Sequence, residues 1–295
     1  MKKVFKNLVR DGLRLILGRL NYIKLRFFLT HGYVGNLKKP KTWNEKIQYR
    51  KLNTPPENYS KLVDKLAVRE YVESKIGPNH LIPLIAKFKT IKPSDFDELP
   101  KQFVIKTSNG GGGENVKIVY DKSNENLHEL SRKFNSYVKI KIGSKIDELF
   151  YDIEDPYILI ERLMLDKDGK LPCDYKCHIF NSDECKVFIQ VDQGRFFNHR
   201  RSIYDENGAI QKFNIQPKYD VIDEFPIPNN FDEMIEKAKL LSEEFDYVRV
   251  DMYLIDDTVF FGELTFCHGS GWEPVHPREY DEILGSYWNS SFFPK

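Results

Sequence analysis

The segment RVDMYLIDDTVFFGELTF, Arg249 to Phe266, admits little but an antiparallel hairpin: two apolar runs joined by a tight polar turn. Side chains alternate faces along a strand, so Arg249, Asp251 and Tyr253 share one face and Val248, Val250, Met252 and Leu254 the other. On the return strand Phe261, Glu263 and Thr265 share a face. A three-residue loop, Asp256–Thr258, pairs residue 251 with 263 and sets the two acids face to face. Opposed Cβ atoms lie about 4.5–5.5 Å apart, and opposed like charges destabilise. A two-residue loop at Asp256-Asp257 puts the acids on opposite faces unless a bulge intervenes. Two readings follow. Either the register is slipped and one acid is merely solvated, or a divalent cation sits between Asp251 and Glu263, with magnesium the natural choice for hard oxygen ligands. In the second case the neighbouring Arg249 is placed to hold another anion.

Other strand patterns surround this hairpin. PYILIERLML, DYKCHIFN and CKVFIQVDQ follow one another with no helix between them. KQFVIKTS and ENVKIVYD flank a glycine run, and HLIPLIAKF is a strand interrupted by Pro83. Helical patterns cover residues 3–30, the stretch after Pro40, 64–76, 124–141, 231–245 and 279–287. Thr42 and Glu45 have capping-box spacing, Asp64 is a candidate N-cap, and Gly77-Pro78 is a stop. Strands and helices mix without regular βαβ alternation, which predicts an α+β fold rather than a doubly wound sheet. There is no internal repeat.

The run FVIKTSNGGGGENVKIVYD places Gly110, Gly111, Gly112 and Gly113 between two strands. Glycines let a loop close tightly, its N–H groups meeting phosphate oxygens. No Gly-Lys-Ser/Thr follows and no helix opens there, so this is neither a Walker loop nor a dinucleotide turn. A hairpin flap fits better. Lys106, on the strand entering it, is placed to reach phosphates as a point charge; the plain alternative is a surface lysine before a flexible turn.

Charge excludes some classes. The chain of 295 residues has a net charge of +1 and so no overall pull toward nucleic acid. Its distribution is uneven: residues 1–41 hold 11 Lys and Arg against one acid, Asp11. The apolar residues of 3–30 are interrupted by Arg14, Arg19, Lys24 and Arg26, too often for a membrane span. One or two amphipathic helices are expected, packed on their own domain or docked on a membrane surface. Cys173, Cys177, Cys185 and Cys267 match no zinc or redox spacing and read as structural thiols of a reducing cytosol.

In order and spacing, TWNEKIQ, DKLAVREYV, FVIKTSNGGGG, ILIERLM, DYKCHIFN, FFNHRRSIYD, VRVDMYL and FGELTFCHGSGWEP resemble the TupA-like ATP-grasp family, found with bacterial capsule and cell-wall polysaccharide genes. The resemblance spans about residues 40 to 285; the first 40 are less diagnostic. It implies an ATP-grasp fold with the nucleotide between two antiparallel-rich sheets after a helical N-terminal segment. It divides the chain into 1–40, a pre-grasp region 41–100, a small subdomain with the flap, 101–165, and a metal-bearing subdomain 166–295. Lys65 and Lys106 would touch ATP phosphates under the Gly110–Gly113 flap. Glu161, Arg162 and Leu163 would form the adenine hinge, and Asp174 and Lys176 would lie near ribose and phosphates. Asp251 and Glu263 would hold Mg²⁺, and Arg249 would face the acyl centre. Many such ligases carry Asn two residues after the metal-binding Glu; here Thr265, a weaker ligand, stands there.

The implied reaction phosphorylates a carboxylate, which an amine then attacks. NHRRS, with Asn198, His199, Arg200 and Arg201, and the second glycine loop, His268, Gly269, Ser270, Gly271 and Trp272, are expected to grip a uronic acid or amino acid. Three rivals remain: a phosphotransferase, a glycosyltransferase and a non-catalytic nucleotide sensor. The glycosyltransferase lacks a D-x-D turn near a strand end.

Overall fold

In the computed structural model, which describes residues 2–294 apart from 112, 114 and 195–197, with only the backbone for 2–9, two antiparallel sheets meet at a cleft. The helices in chain order are α1 (Lys2–His31), α2 (Trp43–Asn53), α3 (Ser60–Val63), α4 (Val68–Ile76), α5 (Leu127–Tyr137), α6 (Ile142–Ile146), α7 (Phe231–Ser242) and α8 (Glu279–Tyr287). The smaller sheet has the order β1 (Leu84–Phe88), β4 (Ile158–Glu161), β2 (Phe103–Thr107), β3 (Val116–Val119). The larger runs β10 (Thr258–Thr265), β9 (Tyr247–Ile255), β5 (Asp174–Asn181), β6 (Cys185–Gln193), β7 (Arg200–Asp205). A two-stranded ribbon joins β8 (Asn214–Ile215) to β11 (Val275–His276). Leu81 forms a backbone bridge to Phe261 and ties the two sheets together at the cleft.

Period-two patterning builds both layers. One face of β2 buries Phe103 and Ile105 with Ile158, Ile160 and the α5 residues Leu130 and Phe134. The opposite face turns Lys106 toward the larger sheet. There, Val248, Val250 and Met252 of β9 join Cys177 and Ile179 of β5 in a core covered by Met234, Ala238 and Leu241 of α7. All four cysteines are free thiols.

The remaining face of the larger sheet is polar although largely buried. One cross-strand row reads Gln190, Lys176, Asp251, Glu263, and the next reads Arg201, Asp192, Asp174.

The hairpin corrects the expected three-residue loop. Ile255 pairs with Thr258, so the tip is the two residues Asp256 and Asp257, both left-handed at φ 46° and 62°. Such a turn matches the twist of its strands. By itself it would separate the acids. A bulge between Phe261 and Glu263 restores the pairing, and Glu263 sits opposite Asp251. Gly262 occupies the bulge, where a Cβ would lie 3.0 Å from the Asp251 carbonyl oxygen and from the Tyr253 ring.

The helix expected from Asp64 also begins later, at Val68. Asp64 does cap, accepting from the N–H groups of Leu66 and Ala67, each at 2.9 Å. The Lys65 N–H donates to Ser108 O at 2.8 Å, and this tertiary bond takes Lys65 out of the helix. In α2 the capping box of Thr42 and Glu45 is present. The N-terminal segment is two helices meeting at Gly18, whose φ of 73° and ψ of 161° suit glycine alone.

Candidate active site

Lys65 connects the glycine loop to the acid pair. Its ammonium donates to Gly110 O at 2.6 Å and lies 3.4 Å from Glu263 Oε2. Across the cleft Lys106 pairs with Glu161 at 2.6 Å, diagonal to it on the neighbouring strand, and Arg69 approaches the other carboxylate oxygen at 3.8 Å. Leu81, Ile82, Phe261 and Gly262 complete the lining. Just after β4, the exposed Arg162 gives its N–H to Pro83 O at 3.0 Å, and Leu163 is buried. Gly110 is left-handed and packs near Ile142 of α6; Gly111 and Gly113 are exposed, and Gly112 lies outside the described residues.

The two opposed acids share one cation of the protein's own. Arg249 grips Asp251 with two parallel bonds, Nε to Oδ1 at 2.6 Å and Nη2 to Oδ2 at 2.8 Å, and reaches Glu263 Oε1 at 3.1 Å. This relieves the repulsion that the sequence poses. Burial works against the guanidinium's charge, but Asp251 and Glu263 outweigh it and drive its pKa further up. Burial is the largest influence on Asp251 and raises it to about 7, against Arg249 and Lys176. Burial raises Glu263 too, but Lys65, Arg249 and Lys176 outweigh it and bring it down to about 2. Two carboxylates on one spot are thus pushed apart in acidity. Thr265 Oγ1 sits 3.4 Å from Glu263 Oε1.

A second like-charged pair is bridged in the same way. Asp174 and Asp192 stand opposite each other on β5 and β6. The buried Lys176 ammonium bonds Asp174 and lies 3.2 Å from Asp192 and 4.0 Å from Asp251.

The network continues to the second glycine loop. Arg249 Nη1 is 2.8 Å from His268 Nδ1, and His268 Nε2 is 3.2 Å from Glu273. Arginine only donates, so Nδ1 accepts and the proton sits on Nε2, donated to Glu273. Burial pushes His268 down to about 4, so it is neutral at pH 7. Arg201 joins Asp192 and Glu273, each at 2.7 Å, and His199 reaches Asp192 at 2.9 Å. Arg200 instead pairs with Asp223 at the surface, and Asn198 is exposed.

The loop itself is held from behind. Gly269, Ser270 and Gly271 are consecutively left-handed, and a Cβ on Gly271 would meet Gln48 at 2.5 Å. Gln48 and Lys51 of α2 donate to the Ser270 carbonyl, each at 2.9 Å, and Ser270 Oγ bonds Glu148. Trp272 is half-buried, with the Arg26 guanidinium 4.0 Å over its ring.

Glu148 is itself buried, and burial lifts its pKa to about 7 despite Lys51 and Ser270. The fold therefore favours its protonated form. That contribution is full below the unfolded pKa near 4.5 and is lost as pH rises to about 7. Glu148→Gln should thus gain stability over the native chain between pH 5 and 8, by up to about 3 kcal/mol. Parallel thermal melts across that range check it, and parallel curves would refute it.

Sequence reading missed Asp192, Glu273, Arg69 and Glu148. For Asp192 a signal existed: Gln190 and Asp192 put polar groups on alternate positions of an otherwise apolar strand. Glu273 directly follows the GSGW loop. Arg69 and Glu148 join only through tertiary contacts.

Two antiparallel sheets enclosing a cleft with lysines on one side and paired acids on the other are the fold of an ATP-grasp enzyme. The chain belongs to the TupA-like ATP-grasp family, whose sequence profile matches residues 45–289. Similar solved structures include N5-carboxyaminoimidazole synthetase of Staphylococcus aureus complexed with ADP, at 15% identity and TM-score 0.43, covering 78% of this chain and 52% of that one. D-alanine–D-alanine ligase of Bacillus anthracis shares 18% identity at TM-score 0.40, covering 77% and 67%. VanG D-Ala:D-Ser ligase of Enterococcus faecalis shares 16% at TM-score 0.43, covering 78% and 58%. The chain spans about half the length of the synthetase. No curated protein matches it significantly.

Proposed function

We propose that the protein is an ATP-dependent ligase that joins a carboxylate to an amine through an acyl-phosphate. The observation that carries this reading is Lys65, which contacts both Gly110 of the flap and Glu263 of the acid pair. Flap, lysines and acids therefore converge on one point.

The donor set fits a hard divalent cation. Among the described residues no three His, Cys, Asp or Glu side chains gather on one centre, so the chain would supply Asp251 and Glu263, with Thr265 nearby. Phosphates and water complete such a shell for magnesium. Bound there, Mg²⁺ would supply charge neutralisation for phosphoryl transfer.

The other roles fall to the chain's own residues. Lys65 and Lys106 hold the phosphates as point charges, and the Gly110–Gly113 flap keeps water from the acyl-phosphate. Glu161, Arg162 and Leu163 border the adenine, and Asp174 and Lys176 the ribose side. Arg249, oriented by neutral His268, stabilises the oxyanion formed when the amine attacks. Arg201 and Glu273 offer a cation and an anion side by side, suited to an acceptor bearing both charges. His199, Gly269, Ser270, Gly271 and Trp272 frame that pocket. The substrate class is a uronic acid of a bacterial surface polysaccharide together with an amino acid or amine, and the compartment is the cytoplasm.

The test is a panel of uronic acids crossed with amines, read by ADP release and product mass. Release that requires both partners is the expected outcome. Release with a carboxylate alone would make the enzyme a phosphotransferase. Binding of sugar nucleotides but not ATP would make it a glycosyltransferase.

A further inference from the structure

Helix α1 has two faces, and only one is satisfied. Inward, Tyr22, Ile23 and Phe27 are buried, Arg14 and Arg19 both bond Asp147, and His31 Nε2 lies 3.0 Å from Gly271 O. Outward, Leu25, Phe28 and Leu29 stand at i, i+3 and i+4, a single helical stripe in solvent, and Leu20 is exposed two turns before Phe28. Leu29 is 72% exposed, and on the arm before Gly18, Leu15 and Ile16 are 87% and 80% exposed. Scattered apolar exposure is ordinary, but a contiguous stripe marks a contact surface.

We infer that this outward face docks on an anionic lipid surface. Charge selects the occupant. Residues 1–41 carry 11 cations and one acid, Asp11, which is already paired with Arg10. Lys24 borders the stripe one turn before Phe28, and Lys38, Lys39 and Lys41 are exposed just beyond the helix. Hydrocarbon beneath anionic headgroups answers both needs at once, with lysine stems lying along the apolar layer and their ammonium groups at the phosphates. Among the described residues no helix is long and apolar enough to cross a membrane, so the helix lies in the interface plane. The Gly269–Trp272 loop rests on the inward side of the same helix. On the ligase reading, and only on it, the acceptor loop then sits about one helix diameter, about 10 Å, from the lipid.

The test is sedimentation of the full chain, without nucleotide, with vesicles of phosphatidylcholine alone or with about one-third phosphatidylglycerol. The anionic vesicles should bind at least about tenfold more protein, and raised salt should release it. The triple substitution Leu15→Glu, Ile16→Glu, Leu29→Glu should lower binding by about tenfold or more, with an unchanged thermal midpoint because all three side chains are exposed. A native chain that stays in the supernatant with anionic vesicles overturns the inference. So does a triple variant that still sediments, or one that instead abolishes a lipid-independent dimer seen by ultracentrifugation. No turnover is read, so the inference stands or falls apart from the ligase reading.

Discussion

Glu263→Gln is expected to lower ATP turnover by about a thousandfold, equivalent to about 4 kcal/mol, with the fold unchanged. Glutamine keeps the shape of the side chain and removes one of the two charges proposed to hold the metal. Arg249 keeps both its bonds to Asp251, so the hairpin retains its internal cation. Lys65 loses its partner at 3.4 Å but keeps Gly110. The measurement is ADP release at saturating Mg·ATP, together with the thermal shift that Mg·ATP produces. Both should collapse while the thermal midpoint of the unliganded protein moves little. Turnover within about tenfold of the native rate would remove Glu263 from the metal site.

Arg50→Met should destabilise the whole protein by about 3–5 kcal/mol, a fall in melting temperature of roughly 10 °C. The guanidinium is buried and donates to the carbonyls of Tyr247 at 2.8 Å and Phe266 at 3.0 Å, besides bonding Asp246. Trp288 covers it at 4.1 Å. Methionine fills the space and leaves two buried carbonyls without that donor. Because those carbonyls mark the start of β9 and the residue just after β10, α2 fastens the hairpin that carries the acids. Chemical denaturation measures the loss, and a change below about 1 kcal/mol would show the anchor to be dispensable.

Much of this was legible in the sequence because local chemistry decided it. The bounds of β5, β6 and α8 follow from periodicity, and the Thr42–Glu45 cap from side-chain reach. Lys106, Asp251 and Glu263 stand out in the sequence because a charge on an apolar strand needs a reason. What escaped was decided by distant partners. The late start of α4 reflects the bond from Lys65 to Ser108, a residue far along the chain. Glu148 meets Ser270 across 122 residues of chain. Alternation in the hairpin gave the faces of each strand correctly but not the bulge, whose place depends on how closely Gly262 approaches its neighbour strand.

That bulge makes the apolar layer a proofreader for the acids. Were Gly262 drawn into regular pairing with Asp251, Glu263 would fall beside Val250, and Leu264 would turn out to the charged surface. A carboxylate would then sit among Val248, Val250 and Met252, and a leucine among Arg249 and His268. Oil and charge both veto that misalignment, so the spacing of the carboxylates is policed from the apolar side of the sheet.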